Sequence, residues 1–176
     1  MANDVEKLKK DLLTQLEEFY KNDEDVEEAS IFTAEELGAP MDMLRVLITE
    51  YGPGLIEVLG EFSFIPFKDS EVLYFSSVLT IMTNVPKDGA SALSGAISRL
   101  NYYLPYGGFA LSPDGSTLVY KSVSALRADH TAKKLYEDIE LASDMSLLIP
   151  EGYTDLLMRV AVGDLLLDDF IATLPE

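Results

Sequence analysis

Three apolar stretches, "LRVLITEYG" (44–52), "LIEVLGEFSFIPF" (55–67) and "EVLYFSSVLTIMT" (71–83), are rich in Val, Ile, Phe, Tyr and Thr. Only "GPG" and "KDS" separate them or the residues flanking them, and such turn signals are too short to hold a crossover helix. The chain must therefore double back on itself, which predicts three strands of an antiparallel meander. In the second strand Ile56, Val58, Phe62 and Phe64 share one face by the two-residue period, while Glu57, Glu61 and Ser63 point the other way. Leu73, Phe75, Leu79 and Ile81 repeat the core face in the third strand.

The opposite face does not alternate to polar as a wetted sheet face should. Leu59, Ile65, Phe67, Val72, Tyr74, Val78 and Met82 fall on it, mixed with Glu57, Glu61 and Thr80. Two outcomes stay open: a further element covers those side chains within the chain, or they form a protein-binding surface.

Helical spacing governs the rest. Val5, Leu8, Leu12, Leu13, Leu16, Phe19 and Tyr20 place an amphipathic helix over residues 4–21. "KNDEDVEEAS" then concentrates carboxylates and reads as part of an acidic linker over 22–40, broken by one helical turn where Thr33 and Glu36 have capping-box spacing. Leu93, Ile97, Leu100 and Leu104 form one stripe of a helix over 88–103, ended by Pro105. Gly107-Gly108 then turns the chain into "FALS", which pairs with "STLVYKSVSAL" around a Pro113-Asp114-Gly115 loop. From Asp129 the chain is helical again, with a break or an N1 proline at Pro150, a C-cap at Gly163 and a short closing turn in "LLDDFIATL". The expected architecture is α+β, a single domain of order αβββαββα. Its five-stranded antiparallel sheet packs with helices, preceded by the N-terminal helix (1–21) and the linker (22–40), with sheet and helices over 41–173.

Composition narrows the chemistry. The formal charge of −18 disfavours nucleic acid and anionic membrane surfaces as partners, because both are bound by clustered Lys and Arg. No cysteine is present, so disulfides, thiolate nucleophiles and cysteine zinc sites are excluded. A charged N-terminus and the lack of a long apolar run predict a cytoplasmic protein. His130 is the one histidine, beside Asp129 at a helix start, with no nucleophile in view. "GASALSG" misses the nucleophile-elbow pattern because Leu93 stands where glycine is required. "NDEDVEE" fails as a calcium loop, since counting from Asp23 the sixth and twelfth positions are Glu28 and Ala34. Nothing marks a catalytic centre, a metal site or a cofactor.

The element order, together with "LNYYLPYGGFALSPDGSTLVYKSV" and "LLMRVAVGDLLLDDF", resembles the fold shared by type III secretion chaperones and the bacterial YbjN-like proteins. The matching ending comprises Leu157, Arg159, Val160, Ala161 and Gly163, followed by Asp168-Asp169; the likeness spans residues 41 to 173. It implies a compact, often dimeric, non-enzymatic domain that binds another polypeptide. Two functional expectations follow. The first is a chaperone-like or regulatory protein-binding module using the mixed sheet face, and a homodimer through the 88–103 helix, at Ala92, Ala96, Arg99 and Tyr103, or through the adjacent hairpin. The second is a small-molecule binder or enzyme with a pocket between sheet and helices, using Arg99, Tyr102, Tyr103 and Tyr106.

Overall fold

The computed structural model of the chain describes residues 2–67 and 71–175. In chain order the elements are α1 (Ala2–Tyr20), β1 (Val26–Phe32), α2 (Ala34–Leu37), β2 (Met43–Tyr51), β3 (Ile56–Ile65), β4 (Val72–Thr83), α3 (Lys87–Leu100), β5 (Gly108–Leu111), β6 (Thr117–Arg127), α4 (Ala132–Val162) and α5 (Leu167–Ile171). The fold is α+β. The strands form one antiparallel sheet in the order β1-β2-β3-β4-β6-β5. The meander β2-β3-β4 is as its turn signals require, although the "KDS" turn lies outside the described residues.

The sheet has six strands rather than five, and the difference is β1. The expected linker over 22–40 contains this strand, whose carboxylates concealed it. Of β1 only Ala29 is buried, and the register slips between Val26 and Glu28, so Glu27 and Glu28 sit in solvent at the sheet's rim. An edge strand pairs on one flank only, which lets charged side chains stand where a central strand could not hold them. The Glu17 carboxylate of α1 accepts the Ile31 N–H at 3.3 Å. The capping box follows at once: Thr33 N–H donates to Glu36 Oε2 at 2.8 Å and Glu36 N–H to Thr33 Oγ1 at 3.3 Å, with Gly38 at φ 60° closing the turn.

Helices α1, α3 and α4 all bury their apolar stripes against one sheet face. Val58, Phe62, Phe64, Leu73, Phe75, Leu79 and Ile81 lie there, as the period-two pattern demands. The rings of Tyr20, Phe62 and Phe75 stack in file, with centroids 5.4 and 6.1 Å apart, and so join α1 to the middle of the sheet.

Pro150 neither breaks the helix nor starts a new one. Pro150 is buried inside the 31-residue α4. A mid-helix proline removes one backbone donor and crowds the preceding turn, a cost of about 3 kcal/mol in an isolated helix. Here the disturbed turn has other partners: the Tyr51 hydroxyl of β2 donates to the Leu147 carbonyl, and Thr154 Oγ1 donates to the Pro150 carbonyl at 2.9 Å. Sheet packing overrides the local signal. The α4 C-terminus has its glycine cap at Gly163, φ 83°.

The second turn signal is stereochemically required. Gly107 adopts φ +64°, and a Cβ there would lie 2.4 Å from the Tyr120 hydroxyl, which donates to the Tyr106 carbonyl. In the hairpin loop Asp114 Oδ1 accepts from Ser112 Oγ (2.6 Å), Ser116 N–H (3.1 Å) and Ser116 Oγ (2.8 Å), which lowers its carboxyl pKa to about 2.

Acidity leaves a thermodynamic mark where α4 passes α1. Desolvation by burial, then the charges of Glu140 and Asp23, push the Asp144 carboxyl above its usual range. A carboxylate raised by folding opposes the fold while ionised, and that penalty lifts as pH falls through the raised pKa. Asp114, Glu36 and Asp129 shift downward, so the stability they supply is complete above their unfolded values and is lost only at more acid pH. The thermal midpoint is therefore expected to be higher at a pH just below the raised Asp144 value than at neutral pH. Asp144→Asn should raise the midpoint at the higher pH and narrow the difference. A difference that the variant leaves intact would assign the effect to overall charge repulsion instead.

Candidate functional site

The sheet face away from the helices is laid out by register. One row across it runs Met43, Ser63, Ser76, Val123; the next runs Arg45, Glu61, Val78, Lys121; the third runs Leu47, Leu59, Thr80. Ile65 and Tyr74 pair at one end of the face. Among the described residues no helix packs over these rows. Leu59, Ile65, Val72, Tyr74 and Val78 are half-buried, and Phe67, just past β3, is 58% exposed with its ring edge-on to Tyr74 at 5.0 Å.

The charges on this face are organised. Arg45 Nε donates to Glu61 Oε1 at 3.0 Å across β2 and β3, and its guanidinium lies 5.2 Å from the Phe32 ring. The pair is partly exposed, so its contribution to stability is small. Its effect is topographic: a neutralised charge pair amid apolar side chains, with Lys121 two strands further along the row. Such a face offers contact area and a few directional polar groups.

Met82 leaves the expected set. The β4 register shifts between Thr80 and Met82, pairing Met82 with fully buried Leu118 and turning it toward the helical layer. A bulge changes side-chain parity, and "TIMT" carries no mark of one. Met43, Arg45, Leu47 and Phe32 join the face instead. The first three were readable from the alternation of "MLRVLITEY" against the core set Leu44, Val46 and Ile48; Phe32 was hidden in the acidic segment.

The residues expected at a helix-mediated dimer contact do not share a surface. Ala96 is fully buried within the chain and Ala92 is half-buried, whereas Arg99 and Tyr103 are exposed. Ser91, Ser94 and Ser98 make the outward side of α3 hydroxylic rather than apolar. The expected tyrosine pocket does not assemble either. Tyr102 and Tyr103 meet edge-on at 5.2 Å, with Tyr102 85% exposed, while the Tyr106 hydroxyl bonds Ser124 Oγ at 2.6 Å on another surface.

His130 Nδ1 lies 3.5 Å from Asp138 Oδ2, and Lys134 Nζ lies 2.7 Å from Asp138 Oδ1. Asp129 is held by Arg127 at 2.8 Å. Among the described residues no group of three or more His, Cys, Asp or Glu side chains could hold a metal ion, and no helix is long and apolar enough to cross a membrane. No protein-family model matches the chain, and no curated protein matches it.

Proposed function

We propose that this chain is a protein-binding module, chaperone-like or regulatory, which acts by docking another polypeptide on the open face of its sheet and not by catalysis. The observation that carries this reading is the apolar set Leu59, Ile65, Tyr74 and Val78, half-buried in register across β3 and β4, with Phe67 exposed beside it. Burying apolar area contributes roughly 25 cal/mol per Å², so a contiguous face of this kind favours association once shape matches. The Arg45–Glu61 pair supplies orientation rather than strength.

Phe67→Asp combined with Val78→Asp tests the reading. Tagged wild-type and variant proteins, both shown to be folded by circular dichroism, are used to capture partners from the native cell lysate, and captured complexes are footprinted by hydrogen exchange. The expected result is one dominant polypeptide that protects β3 and β4 in the wild type and falls at least about tenfold in the variant. A partner retained by the variant, or no partner at all, overturns the proposal.

A further inference from the structure

The two edges of the sheet are treated differently. At β1 the outer edge carries Glu27 and Glu28, a register slip, and the Glu17 carboxylate on the Ile31 N–H, all of which deter another strand. At the other edge β5 is only four residues long and pairs with Leu118–Lys121. From Ser122 to Arg127, β6 has β4 on one side and, among the described residues, no strand on the other. This stretch, "SVSALR", has no proline and no register slip. Its one charge, Arg127, is already held by Asp129.

A groove of about 410 Å³ runs beside this edge, between β6 and α4. Tyr106, Ser124, Leu126, Leu141, Ala142 and Met145 line it. Leu141 is 61% exposed, and Leu148, two helical turns on along α4, is 66% exposed. A strand edge with no partner strand, bonded locally only where the Arg127 carbonyl accepts the His130 N–H at 3.1 Å, lies beside a largely apolar groove and calls for an extended strand that brings apolar cover with it.

Charge selects the occupant. A second copy carries the same −18 and is repelled by most of the surface. Around this edge, however, the charges cancel locally: Arg127 with Asp129, Lys134 with Asp138, Lys133 with Glu137, and Lys121 in addition. An identical unpaired edge is also the one partner strand of matching length that every copy supplies.

We propose that two copies of this chain join through Ser122–Arg127 of β6, pairing antiparallel about a two-fold axis so that their sheets become one. The axis is normal to the sheet and keeps each face on its own side, so residues opposite one another must share a face. That condition places the axis at a residue rather than between two, at Ser124 or Ala125. The Leu141 side chains of the two α4 helices then come under cover at the joint. This assembly uses the sheet's edge and leaves the open face free, so it stands or falls separately from the docking function above.

The test is the mass of the full chain by sedimentation equilibrium over a wide concentration series, with Leu141→Asp as the variant. Leu141 is exposed, so the variant should keep its fold, which the circular dichroism spectrum checks. The expected result is a wild-type dimer whose dissociation constant rises about tenfold or more in the variant. Hydrogen exchange gives a second reading: amides within Ser122–Arg127 should gain protection as concentration rises, while those of β1 do not. A wild type that stays monomeric throughout overturns the proposal. So does a dimer that survives Leu141→Asp with the β6 edge still exchanging freely, or one broken instead by Ala92→Asp on α3. Protection of the β6 edge by a captured partner while the chain itself stays monomeric would assign the edge to a foreign strand and overturn it as well.

Discussion

Gly89→Ala is expected to lower the unfolding free energy by about 3 kcal/mol or more. Gly89 lies in the first turn of α3 where that helix crosses α4, and a Cβ built there falls 1.8 Å from the Ala161 carbonyl oxygen and 2.8 Å from its carbon. The obstacle is backbone, so no rotamer change relieves it. The helices would have to separate by about 1.5 Å to restore ordinary contact, which opens the packing of Leu93, Ala96 and Val160. Alanine's higher helix propensity offsets roughly 1 kcal/mol of this and cannot reverse the sign. Gly152→Ala is the matched control. Gly152 lies within α4, exposed, with nothing within 4 Å of an added Cβ, so the same substitution should stabilise by about 0.5–1 kcal/mol. Urea unfolding midpoints of the two variants against wild type decide the matter; a Gly89→Ala protein as stable as the parent would mean that α3 does not approach α4 this closely.

That glycine shows which parts of the fold are legible in the sequence. "GASALSG" invites a catalytic reading, yet its glycines serve close approach, Gly89 to the α4 backbone and Gly95 to the Leu167 side chain, whose Cδ2 would stand 3.0 Å from an added Cβ. Close approach is a property of two elements, and only one of them is local. By contrast β3 and β4 were readable because turn signals and a two-residue period both act within a few residues. β1 was not, because carboxylates that argue against a central strand are acceptable at a rim, and the position of a strand in its sheet is not written locally. Pro150 reads locally as a break or an N1 residue for the same reason: its compensation comes from Tyr51, a partner 96 positions away from the Leu147 carbonyl that it contacts. For the candidate face, side-chain parity was legible from Leu59 through Val78. Exposure was not, since it depends on α1, α3 and α4 all choosing the same side of the sheet.

Phe62→Ala and Phe67→Ala should separate those two kinds of position. Phe62 is fully buried between the Tyr20 and Phe75 rings, so removing it deletes a stacked contact on each side and leaves a void walled by α1, β3 and β4. Deletions of this kind cost about 3–5 kcal/mol, a large part of the roughly 5–15 kcal/mol that holds a domain together. Little collapse is available, because Leu44 and Leu79 around the site are themselves fully buried. Phe67 belongs to the same meander but lies on the open side, where truncation removes an edge contact with Tyr74 and already-wet apolar area; the expected loss is under about 1 kcal/mol. Chemical denaturation measures both. The contrast also governs how binding data must be read. A Phe62→Ala protein that fails to capture a partner has failed through unfolding and says nothing of the face, whereas a Phe67→Ala protein that unfolds like the wild type but captures less has lost contact area and nothing else. Equal stability losses at the two positions would mean that the open face is packed as tightly as the core, and the docking surface would then have no free area on which to act.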